Sequence, residues 1–264
     1  MSQIKNKETA LITGASGGIG WELAKLFGQE GFDLVLVARD QAKLVSAAKQ
    51  LQDSYGVQVE VISADLTQAE APQMIFENLK NKNIDVLVNN AGFGLFGAFA
   101  ETEKNKELDM IEVNVMAVTK LTKLFLPSMV ARKKGRILNL ASTAAFQPGP
   151  LMAVYYATKA YVLSFSEALA EELEGSGVTV TALCPGPTET GFQKMAQMEG
   201  SKLVKGKISD AASVAKFGFA ALMKGERVVV PGTMNRVMAF SIKFMPRKMV
   251  TKIVRKAQEK ERHA

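Results

Sequence analysis

A chain of 264 residues, 47% hydrophobic and 22% charged, is long and apolar enough to bury one large core in an α/β domain. Its one cysteine, Cys184, excludes an internal disulfide, and its one histidine, His263, lies next to last, so neither a His/Cys metal site nor a Ser-His-Asp triad is expected. The formal charge of +7 belongs to residues 232–264, with nine Lys/Arg against two acids, which leaves the rest of the chain balanced.

The N-terminus through Thr9 is polar and does not read as a signal peptide. No apolar run reaches the roughly 18 residues of a spanning helix, so a cytoplasmic setting is expected. β-branched runs at 10–12, 33–37, 57–63, 84–88, 136–140, 178–183 and 227–230 predict seven buried strands. Between them, helical patterns run near 18–29, 40–54, 68–80, 103–130, 152–174 and 210–224, with N-caps expected at Asp40, Thr102 and Ser209. Strand–helix alternation forces parallel pairing with helices on both faces. The expected fold is a doubly wound Rossmann α/β fold with a seven-stranded, mostly parallel sheet. Residues 1–264 form one domain in this reading, with 232–264 as a basic amphipathic extension.

Such sheets bind ligands beyond the carboxyl ends of their strands, which directs attention to the loops there. After the first strand comes TGASGGIG, residues 13–20, where Gly14, Gly18 and Gly20 open a helix whose free N–H groups and dipole suit a pyrophosphate. The second strand ends Val-Ala-Arg-Asp, with Ala38 where an NAD-preferring site would usually offer a carboxylate to the ribose. Arg39 is either the partner of a 2′-phosphate or a solvated strand end. The first role favours NADP(H), with NAD(H) as the alternative. Asp65, ending the third strand, either accepts from an adenine amino group or caps the next turn.

Tyr155 and Lys159 stand at i and i+4 on one predicted helix face, so an ammonium lies within reach of a phenol whose free pKa is near ~10. Tyr156 and Tyr161 have Ala160 and Phe165 at that spacing and lack the partner. Ser142, just past the fifth strand, is the candidate donor to a substrate oxygen, with Thr143 as backup. Asn114 interrupts an apolar helical turn, which suggests a polar task.

With TGASGGIG at 13–20, Asp65, NNAG at 89–92, Asn114, Ser142, YYATK at 155–159 and PGPTET at 185–190, nearly the whole chain resembles the short-chain dehydrogenase/reductase family, single-domain branch. The resemblance implies a carbonyl–alcohol oxidoreductase with Tyr155 as general acid/base. Lys159 would lower its pKa and hold the nicotinamide ribose, Ser142 would position the substrate oxygen, and Asn114 would keep a relay water near Lys159. It also implies a cofactor lying along Gly14, Ser16, Gly17, Gly18, Ile19 and Gly20, past Arg39, Asp65 and Leu66. Asn90, Ala91 and Gly92 would line its ribose, and Pro185, Gly186, Thr188 and Thr190 its nicotinamide end. Homodimers or homotetramers built on the helices near 103–130 and 152–174 are a further implication. Two other functions share these features: an epimerase or dehydratase with tightly held nicotinamide, and a non-catalytic NADP-binding regulator.

The loops expected to face the substrate are apolar: Phe93, Leu95, Phe96 and Phe99, then Phe146, Leu151 and Met152, then Phe192, Met195 and Met198. They suit a lipophilic small-molecule substrate or ordinary loop packing. Residues 191–207 are a candidate lid. The basic tail either lies on an acidic membrane surface or packs its apolar side on the domain or a second subunit, and Pro246 should break it. With no reader motif beside the charge, nucleic acid is not an expected partner.

Overall fold

The computed structural model describes residues 7–196, 198 and 208–259. Seven strands form one sheet: β1 (Thr9–Thr13), β2 (Asp33–Ala38), β3 (Val59–Ser63), β4 (Val86–Asn89), β5 (Gly135–Leu140), β6 (Val178–Leu183) and β9 (Val228–Val229). Their order is β3-β2-β1-β4-β5-β6-β9 and every neighbouring pair is parallel, from Thr9 beside Asp33 to Leu183 beside Val229. The chain winds outward from β1 to β3, then crosses back to lay β4 on the other side of β1, so the topological switch point falls between β1 and β4. A separate short pair, β7 (Thr188–Glu189) and β8 (Ser209–Asp210), lies beyond β6, with the short helix α7 (Phe192–Met195) between them in the chain.

The period of two along each strand sorts side chains between two cores. Ala10, Ile12, Leu34, Leu36, Val86 and Val88 point to one face, where they meet Leu23 and Phe27 of α1 (Gly18–Gln29) and Leu222 of α8 (Ala211–Lys224). Leu11, Val35, Val37 and Leu87 point to the other. There they meet Ile75 of α3 (Ala71–Leu79) and Leu121 and Phe125 of α5 (Val118–Ala131).

Helix ends follow local chemistry. Asp40 caps α2 (Gln41–Tyr55) by accepting from Lys43 N at 3.0 Å, and Gly56, at φ 64°, ends it in the left-handed region that an L side chain resists. Two expected caps are displaced by one residue. Glu103, without a side-chain cap bond, precedes α4 (Lys104–Ile111), because the Thr102 hydroxyl is engaged with Phe99 O and Glu107 Oε1. Asp210, not Ser209, caps α8 by accepting from Ser213 N at 2.7 Å. The single helix expected over 103–130 is α4 and α5 joined by a π-turn, Glu112–Ala117, at whose centre Asn114 sits. The long helix α6 (Ala153–Glu172) follows β5 and a 3₁₀ turn, Thr143–Phe146.

The C-terminal segment breaks where Pro246 requires. α9 (Thr233–Ser241) and a 3₁₀ turn (Ile242–Phe244) precede it, and α10 (Arg247–Gln258) follows. Val250 and Val254 of α10 pack with Met152 and Tyr156 of the α6 N-terminus, and Gln258 Nε2 donates to Tyr156 Oη at 2.5 Å. The tail's apolar side therefore covers the molecule. Among the described residues, no helix is long and apolar enough to cross a membrane.

At the amino ends of the strands, Asp85 Oδ2 accepts from Thr9 N at 3.0 Å and its Oδ1 from Arg132 Nη1 at 2.7 Å, while Arg132 Nη2 donates to Ile84 O at 2.8 Å. Removing the carboxylate leaves a buried N–H and a guanidinium without their acceptor. Asp85→Ala should cost about 3 kcal/mol in urea unfolding, with little effect on ligand binding at the far edge of the sheet.

Candidate active site

The carboxyl ends of β1, β4, β5 and β6 converge, and close contacts link their loops into one crevice. Thr13 Oγ1 accepts from Asn90 N and Ala91 N, each at 3.0 Å, and donates to Val88 O at 3.2 Å. Asn90 Nδ2 donates back to Thr13 O at 2.9 Å and Gly14 O at 3.2 Å. This knot explains two of the glycines: a Cβ on Gly14 would lie 2.8 Å from Asn90 Nδ2, and one on Gly20 would collide with the same atom. Gly14 also needs its φ of 67°.

Gly17 begins α1 with no side-chain cap and open space above it. The free N–H groups of the first turn, the helix dipole and this open approach fit a dinucleotide's pyrophosphate. Ser16 is half-buried beside Gly17, and Ile19 is turned into the core. On the far side of the loop, a Cβ on Gly18 would stand 3.2 Å from Thr190 Cγ2, so the segment after β6 leans over the glycine loop.

Arg39 is exposed at the end of β2, and among the described residues no carboxylate pairs with it. Its carbonyl accepts from Ser63 Oγ at 3.0 Å, which ties the ends of β2 and β3 together. Asp65 Oδ1 accepts from Thr67 N at 3.1 Å, the turn-capping alternative, while Leu66 is buried. The guanidinium is free for an anion at the adenosine end of the crevice.

The four side chains singled out for proton chemistry come together from separate elements. Tyr155 and Lys159 project from the first turns of α6, and Lys159 Nζ lies 5.9 Å from the Tyr155 ring centre. Ser142, after β5, stands beside the Tyr155 hydroxyl, where it lowers the phenol pKa, accepts from Ala144 N at 3.1 Å and donates to Pro185 O at 3.4 Å. Asn114 and Lys159 both border Gly92: a Cβ there would stand 2.9 Å from Asn114 Oδ1 and 3.5 Å from Lys159 Nζ. Lys159 Nζ donates to Leu140 O at 2.7 Å. The Asn114 side chain is fully engaged. It accepts from Phe93 N at 3.2 Å, and it donates to Phe93 O at 3.0 Å and Thr158 Oγ1 at 3.1 Å.

Several partners in this arrangement were not singled out in the sequence. Thr158 donates to Tyr155 O at 2.7 Å while accepting from Asn114, so it joins the π-turn to the start of α6. Asn235 of α9 leaves no space beside Gly186, where a Cβ would lie 2.6 Å from its Nδ2. Gln193 Nε2 donates to Thr188 O at 2.5 Å. The YYATK run, in which Thr158 touches Lys159, was the one signal that could have drawn attention to Thr158.

Of the apolar residues expected at the substrate side, Phe96, Met152, Phe192 and Met198 gather with Tyr155 in one cluster. Phe192 packs 5.2 Å from the Tyr155 ring, and a Cβ on Gly94 would meet Phe192 Cζ at 2.7 Å. Phe93 packs in the sheet core and Phe146 against Ala145 and its neighbours, while Phe99 is 68% and Met195 50% exposed. Those four do not share the cluster. Of the candidate lid, residues 197 and 199–207 lie outside the described residues.

Burial shifts the two central groups in opposite directions. It pushes the Tyr155 phenol well above its ordinary value, with the neighbouring Ser142 hydroxyl opposing, so Tyr155 holds its proton at neutral pH. Burial also pushes the Lys159 ammonium down from 10.5 to about 8. The buried Cys184 thiol rises to about 12, again through burial, and stays protonated. Among the described residues, no group of three His, Cys, Asp or Glu side chains could hold a metal.

Residues 8–200 match the family model described as short chain dehydrogenase. A very-long-chain 3-oxoacyl-CoA reductase of Phaeosphaeria nodorum is 40% identical over 177 residues, 65% of this chain and 52% of that protein. The chain thus spans about half the length of that curated relative. An uncharacterized oxidoreductase of Bacillus subtilis, YvrD, is 37% identical over 209 residues, 79% of this chain and 78% of its own. Among solved structures, a short-chain dehydrogenase from Sphingobium yanoikuyae in complex with NADPH superposes with a TM-score of 0.82 at 33% identity, covering 97% of this chain and 100% of that one. The chain belongs to the short-chain dehydrogenase family.

The depressed Lys159 value has a stability consequence whose sign follows from linkage. The folded chain releases this proton near pH 8 and the unfolded chain near 10.5, so between those values the unfolded state binds more protons and stability rises with pH. Urea unfolding at about pH 7.5 and about pH 9.5 should show wild type gaining stability relative to Lys159→Met over that interval.

Proposed function

We propose that this protein is an NADPH-dependent reductase that converts a carbonyl on a lipophilic small molecule to a secondary alcohol. The observation that carries the reading is the joining of the Tyr155, Lys159, Ser142 and Asn114 group to the glycine loop through the Thr13–Asn90 knot, so that proton chemistry and a pyrophosphate cradle share one crevice. The exposed, unpaired Arg39 supports NADPH over NADH, because its planar fork suits a 2′-phosphate. The NADPH complex of the Sphingobium relative supports the same choice. The name of the Phaeosphaeria relative and the cluster around Phe96, Met152 and Phe192 support an acyl or similarly apolar substrate.

When bound, a reduced nicotinamide would supply the hydride for the carbonyl carbon. Residues of this chain handle the oxygen. Ser142 and Tyr155 present neighbouring hydroxyls, so a carbonyl oxygen entering between them meets two hydroxyl donors as negative charge develops on it. Tyr155, held protonated by burial, gives up its proton to that oxygen. Lys159, cationic below about pH 8, is the nearby positive charge that stabilises the phenolate left behind. Thr158 and Asn114 hold the start of α6 in place relative to the Phe93 backbone. In this reading the whole chain acts as one unit. A homo-oligomer built on α4, the π-turn and α5 together with α6 accompanies it, supported by the exposure of Leu108, Met116 and Tyr161.

Steady-state oxidation of NADPH with 3-oxoacyl thioesters and aryl ketones of graded length tests the reading. Tyr155→Phe should lower turnover about a thousandfold while leaving NADPH affinity unchanged. Substrates that are reduced equally well by Tyr155→Phe would overturn it. Arg39→Asp should weaken NADPH binding by about tenfold or more with little change for NADH, measured by fluorescence titration; an equal loss for both would remove the role given to Arg39.

A further inference from the structure

The inner residues of α9 and α10, Ala239, Val250 and Val254, are buried, but the outer sides of these helices remain apolar. Met234, Val237 and Met238 recur at i, i+3 and i+4 along α9, and Met249 and Ile253 at i and i+4 along α10. Met234 is 72%, Phe240 62% and Phe244 74% exposed, with Phe240 and Phe244 stacked edge to face at 5.1 Å. Single exposed apolar residues are ordinary, whereas a run of seven on consecutive helices is not. The same segment is strongly cationic: residues 232–259 carry seven Lys/Arg and one acid, Glu259, which pairs with Arg255. A cavity of about 270 Å³ beneath the turn between the helices has Lys243 and Arg247 in its lining beside Phe146, Ile242 and Val250.

We infer that the outer face of α9, the following turn and α10 docks on an anionic phospholipid bilayer. The complement of this surface must be apolar within and negatively charged at its border. A bilayer interface supplies both, since Phe and Met side chains enter the acyl boundary while Lys and Arg meet headgroup phosphates. A second copy of this chain fits poorly, because a two-fold contact of this face with itself would set its cations against one another. Nucleic acid would satisfy the cations and leave the aliphatic row uncovered. Lys252 and Lys256 flank Met249 and Ile253 on the outward side of α10, so charge and apolar side chains reach the same plane. This docking does not depend on the reductase reading.

Co-sedimentation of the full chain with phosphatidylcholine vesicles, with and without about 30% phosphatidylserine, tests it. Binding should require the anionic lipid and weaken with salt. It should fall by about tenfold or more in Phe240→Ser/Phe244→Ser. A similar loss is expected in Lys252→Gln/Lys256→Gln, and both variants should keep the wild-type melting temperature because all four side chains are exposed. Equal binding to neutral and anionic vesicles, no binding to either, or variants that bind like wild type would overturn the inference. So would light scattering that shows a dimer dissociated by the Phe240→Ser/Phe244→Ser change. None of these outcomes requires turnover, so a failure here leaves the reductase reading standing.

Discussion

Where a parallel sheet reverses its direction of winding, the loops beyond the two central strands separate, and the crevice between them has no ladder of hydrogen bonds to hold its width. In this protein the Thr13 hydroxyl and the Asn90 carboxamide take over that task, bonding the two loops through both backbone and side-chain atoms. Everything else in the site is referred to that knot. Glycine is required at 14 and 20 because Asn90 occupies the space a side chain would need. Asn90 leads directly into Gly92, which admits Asn114 and Lys159 to the same edge. Loosening the knot would move phosphate cradle and proton donors independently, and positioning errors of that kind are costly to a two-reactant chemistry.

The electrostatics of the crevice are arranged before any ligand enters. Burial raises the phenol and lowers the ammonium beside it, so the resting pair is a neutral tyrosine and a lysine not far from its own titration point. Ser142 already stands beside the phenol, and Leu140 O already accepts from the ammonium. In the proposed reaction, little reorganisation would then be left for the moment at which charge appears on a substrate oxygen, which is the condition under which fixed dipoles are most effective. The cost of holding these groups out of water is met by the rest of the fold, including the Asp85–Arg132 cluster at the opposite end of the strands.

Much of this was legible in the residues themselves. The two-residue period of the strands, the glycine spacing and the i, i+4 relation of Tyr155 and Lys159 are local signals, and local signals survive in sequence. What was not legible depends on contacts between distant segments. The hydroxyls of Thr13 and Thr158 look like ordinary threonines until β4 and the π-turn arrive beside them. The bond from Gln258 to Tyr156 spans 102 positions. The π-turn is hidden because one extra residue per turn hardly disturbs a long helical pattern. The displaced caps at 103 and 210 arise where two polar residues adjoin and a tertiary bond decides between them, as Glu107 does for Thr102.

The contact between α10 and α6 divides the chain in an instructive way. All the proton-handling candidates and the glycine loop lie within the stretch that matches the family, 8–200, whereas Val250, Val254 and Gln258 lie beyond it yet rest against Tyr156, the residue next to Tyr155. Chemistry and covering are thus written in separate parts of the gene product. The bond from Gln258 to Tyr156 and the packing of Val250 and Val254 are where the two parts meet.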